Sequence, residues 1–408
     1  MNSPEQVATA VIVGVKHKGV PAWEVGDNLD ELEQLVDTAG GRVVCRVMQD
    51  RATPDPGTFI GKGKMAQLSG LVAANNADTV VFDDDLTPAQ MRNLEQGLGC
   101  QVMDRSGLIL DIFARRARSR EARIQVELAQ LLYMMPRLIR RWKHLSRQYG
   151  GHDTRGPGET QLEMDRQTIR TRVASLRRQL IGIEKSRATQ RKLRQGQYKV
   201  ALVGYTNSGK STLLNALTRA DAFVENRLFA TLDPMVRGLK LTSGKRVLAI
   251  DTVGFIRKLP VGLVASFKST LEESRQADLF LVLVDLAHPH WEGQLIRTQE
   301  VIKELELDTT PQLLLFNKVD LVDDAVLLEG LARQYPEALF ISALRKIRLY
   351  EIPERIARFA EQRWMRNSRA FAPDEVERLK EFEARVRVTA HSFQDGQILV
   401  DYLEPAEK

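Results

Sequence analysis

Apolar positions along the chain follow two periods, and the switch from one to the other divides it into segments. Short unbroken apolar runs at "ATAVIVGVK" (8–16), "GRVVCRVMQ" (41–49), "ADTVVFD" (77–83) and "CQVMDR" (100–105) predict strands. Between them, "NLDELEQLVDTAG" carries leucines at helical spacing and stops at Gly40, and a second helix is predicted over 65–75. "LTPAQMRNLEQGLG" opens with Thr87 as an N-cap and Pro88 in the first turn. Strands alternating with helices in this way pack as a parallel sheet with crossover connections. Residues 1–113 are therefore expected to form an N-terminal parallel α/β domain.

From about residue 108 the pattern turns helical. "LILDIFARRARSREARIQVELAQLLYMMPRLIRRW" is one long helical stretch, with Pro136 the expected kink or break. A second stretch, 159–195, places Ile169, Val173, Leu176, Leu180 and Ile183 at spacings of 4, 3, 4 and 3, a heptad seam. "YGGHDTRGPGET" between them is a glycine-rich loop. Residues 114–195 thus predict a long antiparallel helical hairpin with the loop at its tip.

Strand and helix alternate again from Tyr198 to about 366, with strands at "KVALVG", "RVLAID", "LFLVLVD", "QLLLFN" and "ALFIS". This segment, 196–366, predicts a doubly wound domain. The tail, 367–408, reads as a small α+β appendage: a helix over 374–386 and two strands, "RVRVTA" and "QILVDYL", around Asp395-Gly396.

Charge changes the picture in one place. From Arg115 to Arg194 there are 21 Lys and Arg against 7 Asp and Glu, a net of +14; the whole chain carries +6, so the remainder carries −8. Scattered arginines on a helix are usually a solvated face. A concentration of this size is the footprint of a polyanion, and nucleic acid is the expected contact. No apolar run approaches the ~20 residues of a membrane span, and the first residues lack the charged and apolar regions of a signal peptide. Cys45 and Cys100 lie in apolar runs without metal-ligand spacing, which fits a reducing cytoplasm. His288 and His290 form an H-P-H read as an ordinary loop.

Candidate chemistry is concentrated in 204–344. "GYTNSGKST" follows an apolar strand and precedes a helical pattern, and it fits G-x-x-x-x-G-K-[ST]. In such a P-loop the main-chain N–H groups of Gly204, Tyr205, Thr206, Asn207, Ser208 and Gly209 wrap phosphates, and Lys210 reaches the β and γ oxygens. Ser211 binds Mg²⁺, with Thr212 beside it. Asp251 ends "VLAID", where a carboxylate holds Mg²⁺ directly or through water. It opens "DTVG", Asp251-Thr252-Val253-Gly254, whose glycine lets an amide approach the γ-phosphate. Phe229, Ala230 and Thr231 in "FATLDP" lie between the two motifs, and Thr231 is the expected switch residue and third metal ligand. Lys210, Thr231 and Gly254 are the expected catalytic set. "NKVD" follows the strand "QLLLF". There Asp320 accepts from a ring N–H and an exocyclic amine, Asn317 reaches the far edge of the base and Lys318 covers its face. Guanine presents those donors and adenine does not, so GTP and GDP are the expected ligands. "ISAL" adds Ser342, Ala343 and Leu344, with the Ala343 N–H as a last base contact.

With these motifs in order, the segment resembles a translational GTPase of the TRAFAC class. "DRSGLILDIFARRARSREARIQVELAQLLYMMPRL", "GGHDTRGPGETQLEMDRQ" and "LFATLDPMVRGLKL…DTVGFIRKLP" are similar to HflX-type GTPases over about Thr58 to Pro260. The resemblance implies a Ras-like P-loop domain and a monomeric cytoplasmic factor. It implies GTP-dependent binding to the 50S subunit and the splitting of stalled or stressed 70S ribosomes, with the hairpin tip at 150–160 against 23S rRNA. It accounts for Phe255, since the family has a hydrophobic residue where other GTPases carry the water-orienting glutamine. It also raises ATP binding by the N-terminal domain, for which "GTFIGKGK" (57–64) is the candidate, though without P-loop spacing. The chain departs from the family pattern at Ser208, at His152-Asp153, and after Ala343, where "LRKIRLYEI" replaces a glycine-containing turn. Two alternatives stand beside this reading: an ATP-dependent RNA-remodelling enzyme acting through the N-terminal domain, and an rRNA-binding module that holds GTP without hydrolysing it.

Overall fold

The computed structural model describes residues 8–138, 157–192, 197–218, 228–229, 235–241, 244–258, 275–383, 386–394 and 396–405. The chain divides into two units. The first holds residues 1–185 together with 225–233 and 256–269, and the second holds 186–224, 234–255 and 270–408.

In the first unit, β1 (Thr9–Lys16), β2 (Arg42–Asp50), β3 (Thr79–Phe82) and β4 (Gln101–Asp104) form a parallel sheet in the order β2-β1-β3-β4. The interior of β1 is buried throughout, as a central parallel strand covered on both faces requires. The crossover helices are α1 (Ala22–Thr38), α2 (Lys62–Asn75) and α3 (Pro88–Leu98). Thr87 caps α3 in a reciprocal box with Gln90, and Gly99 ends it in the left-handed conformation.

Helix α4 (Arg105–Arg116) follows β4 directly, and α5 runs over Arg120–Leu138. The helical stretch is broken at 117–119, where Ala117 is extended and the Ser119 hydroxyl caps α5 by accepting from the Ala122 N–H at 3.0 Å. Pro136, the expected kink or break, lies inside α5, two residues before the last described residue of that helix. Asp104, fully buried, ties these elements together. Its carboxylate accepts from the Gly107 and Leu86 amides, the Tyr133 hydroxyl and the Arg137 guanidinium, at 2.8, 3.2, 2.6 and 2.8 Å. Burial first, then the Asp104 charge, pushes the Tyr133 phenol far up.

Helix α6 (Pro157–Lys192) carries the heptad seam. Val173 and Leu176 are buried in a cluster with Ile124 and Leu128 of α5, and Ile169, Leu180 and Ile183 pack against it. Arg170, Arg177 and Arg178 are exposed, so the basic face is turned to solvent. The tip at 150–160 falls outside the described residues, except that helix α6 begins at Pro157.

In the second unit, six strands run in the order β10-β9-β8-β5-β7-β6: β5 (Lys199–Gly204), β6 (Met235–Lys240), β7 (Arg246–Asp251), β8 (Leu279–Asp285), β9 (Gln312–Asn317) and β10 (Leu339–Phe340). All pairs are parallel except β6 with β7. Helices α7 (Lys210–Thr218), α8 (Trp291–Glu304), α9 (Ala325–Gln334) and α10 (Glu351–Arg363) complete the doubly wound α/β fold. The tail has three antiparallel strands rather than the two expected. They are β11 (Trp364–Phe371), β12 (Arg387–Gln394) and β13 (Gln397–Pro405), in the order β11-β13-β12, with α11 (Val376–Glu383) between the first two. β6 and β11 escape the apolar pattern because "MVRGLK" and "WMRNSRAF" lie at sheet edges and carry polar residues. Among the described residues no helix is long and apolar enough to cross a membrane.

Candidate functional site

Strand β5 ends at Gly204, where the chain turns at a φ of 151° and an added Cβ would lie 2.3 Å from the Leu283 carbonyl oxygen. The loop passes through Tyr205, Thr206, Asn207, Ser208 and Gly209 into the first turn of α7, whose amides favour an anion. At Gly209, with φ 96°, an added Cβ would stand 2.3 Å from Asn317 Nδ2. Glycine is needed here because the base-recognition strand touches the loop backbone.

Lys210 is buried, and its Nζ donates to the carbonyls of Gly204 and Tyr205 at 3.1 and 2.7 Å. Burial lowers its pKa to about 8, against the opposing pull of Asp251. The Ser211 hydroxyl donates to Asp251 Oδ2 at 2.7 Å, joining the start of α7 to the end of β7. Thr212 follows, half-buried. Among the described residues the buried hydroxyls of Thr206 and Ser208 meet no hydrogen-bond partner.

After β7, the Thr252 hydroxyl donates to the Leu202 carbonyl at 2.6 Å, and Val253 leads to Gly254. A Cβ on Gly254 would stand 2.8 Å from both Lys210 Nζ and Thr206 Cα. Phe255 bridges to Tyr205 as a short parallel pair: its N–H donates to the Gly204 carbonyl at 3.0 Å and its carbonyl accepts from the Thr206 N–H at 2.7 Å. Its ring is buried with Ala201, Val203, Ile250 and Phe280. Phe255 is therefore a core residue whose backbone lies along the loop.

Phe229 belongs to the first unit. Its ring meets that of Phe113 edge-on at 4.6 Å, and its carbonyl accepts from Arg116 at 3.2 Å. Ala230 and Thr231 lie outside the described residues.

The NKVD residues surround the end of β9. Asn317, buried, donates through Nδ2 to the Ser208 carbonyl at 2.8 Å and accepts through Oδ1 from the Ala343 N–H at 2.9 Å. The Ala343 amide, expected to contact the base, is thus engaged by Asn317. Lys318 is left-handed at φ 66°, and its ammonium lies 2.6 Å from Asp285 Oδ2. Asp320 sits in a short 3-10 turn, partly buried, with Arg345 Nε at 3.9 Å. The Ser342 hydroxyl accepts from the Arg345 N–H at 3.0 Å, and a bridge to Ile347 closes the turn. Lys346 and Arg348 take positive φ, 59° and 53°, in the turn where a glycine was expected. Leu344 is 75% exposed.

Sequence reasoning missed Asp285, whose carboxylate holds the Lys318 ammonium. The signal for Asp285 was its place at the end of "LFLVLVD", where a neighbouring strand end holds NKVD.

Three family models match the chain in succession: "GTP-binding GTPase N-terminal" over 26–114, "GTP-binding GTPase Middle Region" over 116–194, and "50S ribosome-binding GTPase" over 199–318. A GTPase HflX of Flavobacterium psychrophilum is 44% identical, covering 85% of this chain and 89% of its own length. A GTPase HflX of Alkalihalophilus pseudofirmus is 52% identical over 73% of this chain and 71% of its own. Among solved structures, a GTP-binding protein of Sulfolobus solfataricus in complex with GDP is 24% identical, covering 87% of this chain and 99% of its own, with a TM-score of 0.45. The identity to the two curated relatives, spread over most of each chain and all three matched regions, means that this chain belongs to the HflX family of GTPases: it binds GTP and hydrolyses it.

Proposed function

We propose that the chain is a Mg²⁺-dependent GTPase that binds the 50S subunit and separates stalled or stressed 70S ribosomes in the cytoplasm, with the ribosome stimulating hydrolysis. The observation that carries this reading is the burial of Phe255: the residue after Gly254 faces the core and offers nothing to orient water. A partner that orders the switches supplies what is missing, and such completion is worth ~10³–10⁵ in rate elsewhere. The exposed arginines of α6 and the +14 of 115–194 give rRNA phosphates a surface. The printed description of the family model over 199–318, a 50S ribosome-binding GTPase, supports the same partner.

Ser211 and Asp251, 2.7 Å apart through hard oxygen atoms, fit a magnesium ion, with Thr231 as third ligand. Held there, a magnesium ion would supply positive charge against the phosphates. Lys210, the loop amides and the Gly254 amide hold the phosphates and stabilise charge on the transferred group. Asp320 and Asn317 select guanine. The four segments 1–113, 114–195, 196–366 and 367–408 are proposed as the functional domains, with the chain acting as a monomer. ATP is not assigned to 57–64, because the Gly61 N–H is engaged by Gln49 at 3.1 Å and the turn before it closes on Asp55.

GTP turnover, measured alone and with added 50S subunits at two salt concentrations, tests the proposal. A large, salt-sensitive stimulation is expected. An unchanged rate would remove the ribosome as the activating partner.

A further inference from the structure

β4 is the last strand of its sheet, so among the described residues one of its edges pairs with no other strand. Such an edge presents a row of main-chain N–H and C=O groups that can pair with another chain. Right-handed crossovers put α1 on one face of this sheet and α2 and α3 on the other, and α4 packs against α1. Residues of α3, α4 and the second half of α5 join Gln101, Val102 and Met103 of β4 around a cavity of about 320 Å³. A cavity lined from both helix layers and from the last strand lies at the open edge of the sheet. Four residues at ~3.3 Å each give that edge about 13 Å, room for a short extended segment. The whole slot belongs to the first unit.

Its lining is part apolar and part cationic. Met91, Met103 and Met134 line it together with Val102 and Leu110. Methionine is unbranched and polarisable, and it accommodates apolar side chains of different shapes. Met134 is 47% exposed, which is open for a side chain of that size. Arg137 stacks on the Tyr133 ring at 3.5 Å and donates to the Tyr133 and Leu86 carbonyls and to Asp104. Even so, its buried Nε meets no hydrogen-bond partner among the described residues, and the same holds for the buried Nε of Arg92. A buried N–H without an acceptor costs free energy that an incoming oxygen offsets. Of the two acids at the slot, Asp111 is held by Arg115 at 3.0 Å, and Glu95 lies one turn along α3 from Arg92. The walls are already set, because Thr87 and Gln90 cap α3 and Tyr133 ties α5 to Asp104 at the end of β4. A preformed slot spares its ligand the ordering cost.

We infer that this slot is a docking site for an extended segment of a partner protein. The segment pairs its main chain with the free edge of β4 and seats one large apolar side chain among the methionines. An adjacent Asp or Glu places its carboxylate against Arg92 and Arg137. A cavity of this volume between helices admits one strand rather than the edge of a second sheet with its own helices.

The test is selection of a phage-displayed random dodecapeptide library on the immobilised full chain. Selected sequences are then titrated as synthetic peptides against wild type, Arg92→Ala and Met134→Glu. Enriched peptides are expected to share a large apolar residue next to Asp or Glu. Each substitution is expected to weaken them about tenfold or more, with GTP turnover and thermal melting unchanged. Peptides N-methylated at one amide at a time are expected to lose binding to the wild-type chain at every second position, because a strand turns alternate residues' main-chain groups toward its neighbour. Enrichment of no common pattern would overturn the inference, as would wild-type affinity in both variants or indifference to N-methylation. Self-association of the chain that both variants abolish would give the slot to a second copy and overturn the partner. The N-methyl series uses the unmodified chain, so a variant that fails to fold leaves the test intact.

Discussion

Asn317 and Ser208 meet through a single hydrogen bond, side-chain Nδ2 to main-chain oxygen, 2.8 Å long and buried. The same amide accepts from the Ala343 N–H at 2.9 Å. One side chain thus fastens the phosphate loop, the end of β9 and the turn after β10 to each other. Asn317 reads as a base-contacting residue in sequence. In the fold it is also the pin that sets the distance between the phosphate-binding and base-binding halves of the site.

Asn317→Ala is therefore expected to cost stability as well as nucleotide. Two buried partners, the Ser208 carbonyl and the Ala343 amide, would lose their hydrogen bonds, at about 1–3 kcal/mol each. Denaturant unfolding of the protein without added nucleotide should show a loss of about 2–4 kcal/mol. A fall in GTP affinity with unchanged unfolding would mean that Asn317 touches only the base.

Asp320→Asn is expected to invert base preference. A carboxylate accepts twice, matching the ring N–H and exocyclic amine of guanine, while an amide accepts once and donates once, matching xanthine. GTP affinity should fall by ~10²-fold or more, with xanthosine triphosphate binding restored, because each mismatched buried polar pair costs kilocalories. Competition binding with the two nucleotides decides it.

Gly254→Ala brings a methyl group to 2.8 Å from Thr206 Cα, a backbone atom that cannot swing aside as the Lys210 ammonium can. The P-loop and the D-T-V-G segment must then separate. GTP turnover is expected to drop by about tenfold or more, which corresponds to ~1.4 kcal/mol in the barrier, while GDP affinity changes less. Equal losses in both would point to general loop damage.

Lys210 gives the site a pH dependence with a definite sign. Its pKa is lowered to about 8 by burial, so between about pH 8 and its ordinary 10.5 the folded chain binds fewer protons than the unfolded one. This group therefore adds to stability as pH rises through that window. Phosphates bind the charged form, so nucleotide affinity should move the other way, weakening about tenfold from pH 7 to pH 9. Calorimetry at pH 8.5 in buffers of different ionisation enthalpy should register proton uptake on GDP binding. No uptake would mean that Lys210 is already charged in the free protein.

The strands that carry the site were readable because each is a short apolar run ending in a motif residue: Gly204 ends β5, Asp251 ends β7, Asn317 ends β9. Buried parallel strands have little other way to look. β6 and β11 were not readable, since edge strands satisfy one neighbour and tolerate polar residues such as Arg237 and Asn367. The break at 117–119 was missed for a related reason. Pro136 is the visible helix breaker, but the chain turns where Ser119 can cap α5.

The chain alone determined its chemistry. Glycine, lysine, serine and two aspartates at set spacings name a phosphate loop, a cation pair and a guanine contact, because those groups are local and their partners belong to the nucleotide. Tertiary structure alone decided how these parts are held. That Asn317 pins Ser208 and that Lys346 and Arg348 take the left-handed turn depend on residues up to 109 positions apart. Pairings over such distances leave no periodicity in a sequence, since only the folded chain brings their charges and amides within bonding range.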